Sequence, residues 1–350
     1  MTTEATNLLL DIASEKNGYQ IGEPWRFTEF SLAAIVPILR EARTERAYKL
    51  LAEAGDEVTV IDTGSIDKVE VRNLGSVPVL VKAGELVAGS TQTRAIAMSQ
   101  VVMPMKEWTV KCYCTYQTKM INPGEQVKSR GYSPPEVLQP IYSALSSGIG
   151  RRGPSGGREA QHDVWGSITN YSQYMSQTHV TYSAAGSSGR LGADYMASQG
   201  EASGQSSWST HYDDLAGRIT ESAEKFKEAL EHIPRFDNQV GMALLSINDL
   251  DSLESFEHPG SWEAMRDNIL KAEAGKIADV SDQDSVFAFK TEKAKAAVRE
   301  LLTSQFEESV GVAKEATMTV ILKASKFTGE VVTLYGEPIH CSFVKNSGKE

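Results

Sequence analysis

The sequence predicts an α+β fold: a β-rich antiparallel sheet or sandwich core from N- and C-terminal strands, with central helices and a Ser/Gly-rich insertion. Short β-branched runs crowd both ends of the chain, and helical periodicities cluster between them. The strict strand–helix alternation of a doubly wound parallel sheet is absent. With 350 residues, 41% of them hydrophobic, the chain can fill a large core.

Glu45 to Gly55 places Ala47, Leu50, Leu51 and Ala54 at helical spacing and stops on a glycine, which predicts a helix. Three β-branched runs follow, Glu57 to Asp62, Lys68 to Arg72 and Val77 to Lys82, parted by turn compositions and predicting an antiparallel meander. Two longer strands are expected over Gln92 to Met103 and Trp108 to Thr115. In residues 146–210, Gly and Ser supply 25 of 65 positions, too little apolar surface to offset the entropy of ordering; a partly ordered insertion is expected, with a plain linker as the alternative. Leu215, Ile219, Ala223, Phe226, Leu230 and Ile233 then form a helical stripe that ends before Pro234. A strand is expected at Val240 to Ile247, a serine-capped helix at Ser261 to Lys271 and a helix at Thr291 to Gln305. Extended runs at Ala316 to Ala324, Glu330 to Tyr335 and Pro338 to Val344 close the chain. The resulting division is 1–145, a β-rich part of the core; 146–210, the insertion; and 211–350, helices plus strands that complete the core.

Composition narrows the function. With 35 basic against 46 acidic residues the net charge is −11, so no global field attracts a nucleic acid or an anionic membrane. The longest apolar stretch, Leu32 to Leu39, is well short of the roughly 20 residues a span needs. Three cysteines and no positively flanked leader point to a reducing, cytoplasmic setting. Neither nucleic acid nor membrane is an expected partner.

Gly148 to Gly153 matches GxGxxG but follows no strand and runs into Pro154, so it is not read as a dinucleotide fingerprint. Ser222 to Lys225 matches SxxK on a helix where both residues are expected to face solvent. No GxxxxGK[ST], HExxH or CxxC occurs, and no cofactor is expected. Cys112 and Cys114 fall on one strand face with Val110, as small core residues. His340 and Cys341 are adjacent, so a strand points them apart and they form no metal pair. The histidines are scattered and read individually as surface residues.

The most distinctive stretch is Gly84-Glu85-Leu-Val-Ala-Gly89-Ser-Thr-Gln92-Thr-Arg94, a strand–turn–strand corner. Glu85 is the candidate catalytic acid or base, Arg94 can fork onto a carboxylate or phosphate, and Gln92 can orient a ligand through its amide. Gly84 and Gly89 serve the turn. The competing reading is a structural corner in which Glu85 and Arg94 pair with each other.

These residues carry a resemblance. Gly84, Glu85, Gly89, Gln92 and Arg94 match the spacing of the family described as the ADP-ribosylglycohydrolase- and rhodanese-phosphatase-superfamily-associated protein domain. Asn73 and Pro78 resemble its lead-in, Cys112 the end of its next strand, Gln161-x-x-Val164-Trp165 a central element, and Phe256-Glu257-His-Pro259-Gly-Ser-Trp262 a later signature. Ala83, Leu86 and Thr93 depart from the pattern, and with Leu86 a second carboxylate is lost. The family is largely uncharacterised, and its name records association with enzymes acting on ADP-ribose and phosphate groups. The resemblance therefore implies a site for a small anionic, nucleotide- or ADP-ribose-like ligand, with hydrolysis as the reaction. It would be formed by Glu85, Gln92 and Arg94 with Gln161 and Trp165 folded over it. The alternative is a non-enzymatic structural protein that self-assembles as a homo-oligomer.

Overall fold

A computed structural model describes residues 3–28, 31–41, 45–90, 92–116, 122–148, 154–177, 215–247, 249–279 and 290–347. The chain opens with helix α1 (Thr3–Ala13), then strands β1 (Tyr19–Ile21), β2 (Ala33–Arg40), β3 (Lys49–Leu50), β4 (Val58–Asp62), β5 (Lys68–Asn73), β6 (Val79–Val81), β7 (Glu85–Ala88), β8 (Thr93–Ile96), β9 (Gln100–Val102), β10 (Lys106–Cys114) and β11 (Gln126–Tyr132). Helices α2 (Pro135–Ser146), α3 (Pro154–Gln177), α4 (Leu215–Lys225) and α5 (Lys227–Glu231) precede strands β12 (Gln239–Ser246) and β13 (Asp249–Phe256). Helices α6 (Pro259–Ala272), α7 (Ala274–Ala278) and α8 (Thr291–Leu302) lead to β14 (Glu307–Lys314), β15 (Thr317–Lys323), β16 (Phe327–Leu334) and β17 (Glu337–Lys345).

The fold is α+β, and strands from both ends share one sheet. Eight strands run in the order β1-β2-β12-β13-β17-β16-β15-β14, every neighbouring pair antiparallel. One face takes α1 through Ala5, Leu8, Leu9 and Ile12 and α8 through Ala294, Val298 and Leu301, each set at three- and four-residue steps. The other face packs on α2, α6 and the remaining β structure.

That β structure is a closed barrel, β10-β5-β4-β11-β7-β8, rather than a second open layer. Its strands alternate with period two, so Val58 and Val60, Val69 and Val71, Val87, Ile96, Val110 and Val127 fill the interior. Cys112 joins them on the Val110 face, as the spacing requires.

Several elements differ from the expectation. Glu45 to Gly55 is not a helix: β3 and two 3₁₀ turns, Leu51–Glu53 and Gly55–Glu57, occupy it, because β3 pairs with β6 and tertiary pairing overrides a short helical stripe. The meander ends after β4 and β5, since β6 leaves to join β3 and β9 in a small sheet. Gln92 to Met103 is two strands. Helix α6 is capped by His258, whose Nδ1 accepts from Gly260 N at 2.9 Å, so Ser261 lies inside the first turn. Ser222 is buried, its hydroxyl 3.9 Å from Met175 Sδ. Within the Ser/Gly-rich stretch, α3 covers Pro154–Gln177; residues 178–214 and most of the GxGxxG string lie outside the described residues.

Gly329 illustrates how tightly the sheet packs: a Cβ there would collide with the Ser342 carbonyl and the Phe343 ring. Gly329→Ala is expected to cost about 1–3 kcal/mol, read as a lower urea midpoint at unchanged m-value. An unchanged midpoint would contradict this packing.

Candidate functional site

The predicted residues fall around one barrel, but they do not share an open cleft. On the antiparallel pair β7–β8, Val87 faces Arg94, so the period of two sends Glu85, Val87, Arg94 and Ile96 into the barrel interior. Glu85 and Arg94 do not pair with each other. Arg94 is 2% exposed; its Nη2 donates to Asp62 Oδ2 at 2.8 Å and its Nη1 to the Lys68 carbonyl at 3.4 Å. Glu85 is 1% exposed, accepting from Ser129 Oγ at 2.6 Å and from Lys82 N at 3.5 Å. Burial pushes its carboxyl from 4.5 up to about 7, against those two hydrogen bonds.

The remaining predicted residues brace the barrel from outside and at its rim. Gln92 Nε2 donates to the Tyr116 carbonyl at 3.4 Å. Gln161, on α3, imitates a strand partner: its Nε2 donates to Cys114 O at 2.7 Å and its Oε1 accepts from Cys114 N at 2.9 Å. One turn on, Trp165 packs against the apolar core between barrel, helices and sheet. Gly84 sits at φ +81°, and a Cβ there would lie 2.8 Å from Leu138 and Tyr132. A Cβ on Gly89 would lie 2.6 Å from the Glu125 carboxyl.

A second set of polar residues lies where the barrel meets the sheet. Lys82, wholly buried at the end of β6, hydrogen-bonds Tyr132 and reaches Glu254 Oε1 at 3.1 Å. Tyr132 donates to Glu254 Oε2 at 3.1 Å, and His340 Nε2 bonds the same carboxylate. The Ser99 backbone donates to Glu330 Oε2 at 3.0 Å and its hydroxyl bonds the other oxygen. Glu254, Ser342 and Glu330 line up across β13, β17 and β16 by register. Burial alone would raise Glu254, but Lys82 and His340 hold its carboxyl below the ordinary range. Burial raises Glu330, against His340, the Ser99 hydrogen bonds and Lys82. His340 is therefore a core residue, not the surface histidine expected.

A third set is partly open to solvent, at the N-terminus of α6. Tyr48, buried just before β3, donates to Glu257 Oε2 at 2.9 Å and shares a 2.9 Å hydrogen bond with Ser261 Oγ. Arg46 Nη1 approaches Ser261 Oγ at 3.5 Å, and Arg40 Nη1 donates to the Glu257 carbonyl at 2.9 Å. Glu257, Arg40 and Arg46 are all half-buried. Burial pushes Glu257 from 4.5 up to about 7, against the Tyr48 hydrogen bond and the two arginines. Glu257 belongs to a stretch the sequence singled out; its neighbours Tyr48 and Arg46 sit more than 200 residues away, where no local pattern links them.

The model of the ARG and Rhodanese-Phosphatase-superfamily-associated Protein domain matches residues 18–344. The chain belongs to that family. The match takes in the barrel, all three polar sets and the sheet as far as Val344, with helix α1 ahead of it. No curated protein and no solved structure matches the chain. Among the described residues no helix is long and apolar enough to cross a membrane, and no group of His, Cys, Asp and Glu is arranged to hold a metal ion.

Two predictions follow from the barrel of this ARPP domain. Asp62→Ala leaves the buried Arg94 without its carboxylate and is expected to cost about 3–5 kcal/mol, with much of the loss recovered in Asp62→Leu/Arg94→Met; a loss below about 1 kcal/mol would contradict the pairing. For Glu85 the folded-state pKa is raised, so its stabilisation is complete below pH 4.5 and lost as pH climbs through about 7. That loss amounts to about 3 kcal/mol. Urea midpoints measured from pH 4.5 to 8 should fall for the native chain and fall less for Glu85→Gln; parallel curves would contradict it.

Proposed function

We propose that this ARPP domain binds a small anionic molecule of the nucleotide or ADP-ribose-like class at the N-terminus of α6 and hydrolyses it, with Glu257 as general acid and base. The observation that carries the reading is the half-buried Glu257 carboxyl, fixed by Tyr48 and flanked by two arginines. A titration near neutrality suits acid–base work, because the group is then present in both protonation states. In this reading Glu257 takes a proton from the attacking water, whose oxygen bonds the reacting centre as the bond to the leaving group breaks, and Glu257 gives that proton to the leaving group, while Arg40, Arg46 and the positive end of α6 receive the anionic group. Tyr48 is a positioning residue, held in turn by Ser261.

Glu85, the catalytic candidate by sequence, has a similar pKa but is closed inside the barrel. Gln92, Arg94, Gln161 and Trp165 then act as structural residues of the barrel and the helix packed on it. The alternative, a non-enzymatic homo-oligomer, would use β14, the last strand of the sheet. That edge carries Glu307 and Glu308 and a bulge before Val310, features that oppose edge-to-edge pairing.

A thermal-shift and turnover panel with ADP-ribose, NAD and nucleoside di- and triphosphates tests the proposal. Arg46→Ala is expected to abolish the ligand-induced shift. Glu257→Gln is expected to keep the shift but lower turnover by about 10²–10⁴-fold. The reading is overturned if no ligand gives an Arg46-dependent shift, or if Glu257→Gln turns over normally.

A further inference from the structure

Away from that site, a cleft of about 370 Å³ opens between α4–α5 on one side and the C-terminal half of α6 on the other. That volume lies in the range of pre-formed small-molecule sites. Leu230, Ile233 and Leu270 give it an apolar lining, and Ile233 and Leu270 are more than nine-tenths buried.

The charged groups on its walls are mostly spent on one another. Lys227 pairs with Glu231 at 3.8 Å, one helical turn apart. Asp267 is shared by two guanidinium groups, Arg266 at 3.0 Å and Arg235 at 3.3 Å. Arg266 is 4% exposed and also donates to the Ile233 carbonyl at 3.0 Å, which fixes the wall. Two lining charges remain. Glu224, on α4, and Lys271, on α6, have no ion-pair partner among the described residues, and both are exposed. They are opposite in sign and come from different walls.

We propose that the cleft binds a small zwitterion with an apolar side chain, a free α-amino acid of the leucine or phenylalanine kind. The ammonium is received by Glu224, the carboxylate by Lys271 beside the Arg235–Arg266 pair, and the side chain by Leu230, Ile233 and Leu270. A simple anion would meet Glu224 and Asp267 as repulsive neighbours, and a simple cation would meet Lys271 and the guanidinium groups. The zwitterion alone satisfies both free charges while covering the apolar lining. Opposite charges unpaired across a concave surface also distinguish the cleft from an ordinary solvated helix face, where charges pair at one-turn spacing. The inference is independent of the Glu257 reading, since no residue is shared.

Isothermal titration of the full chain with free leucine, free phenylalanine, N-acetylleucine and leucinamide tests it. Leucine or phenylalanine is expected to bind saturably. N-acetylleucine, which lacks the ammonium, and leucinamide, which lacks the carboxylate, are expected to bind at least tenfold more weakly. Glu224→Gln and Lys271→Met alter exposed side chains, and each is expected to weaken amino-acid binding about tenfold, the effect of losing roughly 1.4 kcal/mol. Absence of saturable binding by both amino acids, equal binding of the blocked analogues, or insensitivity to both substitutions would overturn the proposal.

Discussion

The ion pair between Lys82 and Glu254 is the constraint on which the rest of the architecture depends. Lys82 is delivered by the strand that leads into the barrel wall, and Glu254 by the middle of the eight-stranded sheet. Lys82 is wholly buried and Glu254 nearly so, and separating the two layers would leave each charge without its partner. Tyr132 and His340 hydrogen-bond the same carboxylate, one at each oxygen. Two strands along the sheet, Ser99 hydrogen-bonds both carboxylate oxygens of Glu330, and Thr319 donates to the Ser99 carbonyl at 2.7 Å. These directional bonds fix orientation in a way that Leu-on-Leu contact cannot.

That registration explains why the proposed site exists. Tyr48 immediately precedes β3, which pairs with β6, the strand that leads into Lys82. Glu257 follows β13, the strand that holds Glu254, and its amide donates to Ile339 O at 3.1 Å beside His340. The 2.9 Å contact from Tyr48 to Glu257 therefore crosses the same seam that Lys82 and Glu254 clamp. A shift of the barrel on the sheet would break the Tyr48–Glu257 contact before it disturbed either layer internally. The position of Arg94, by contrast, depends only on the barrel, because its partner Asp62 lies on β4.

How much of this was legible in the sequence depends on the range of the interaction. Period-two patterns placed β4, β5 and β15 to β17 correctly, and the face shared by Cys112 and Val110 followed from spacing alone. The α+β class with terminal strands in one sheet was readable for the same reason. The Glu45 to Gly55 stripe misled because a two-residue strand pairing with β6 outweighs the weak intrinsic preference of eleven residues for helix. Closure of the barrel, the partners of Glu85 and Arg94, and the Lys82–Glu254 pair all depend on contacts distant in sequence, which no local pattern encodes. Lys82 did leave a trace, as a lone charge ending the apolar run Val79-Leu80-Val81, but its partner stands 172 residues away. Glu257 was legible as part of a motif, whereas its partial exposure is a property of the assembled seam.

The most direct measurement of the central claim, that buried charge registers the barrel on the sheet, is a double-mutant cycle on Lys82→Met and Glu254→Leu in urea unfolding. Each single substitution is expected to cost about 3–5 kcal/mol, and the double substitution clearly less than the two combined. Additive losses, or single losses below about 1 kcal/mol, would contradict it.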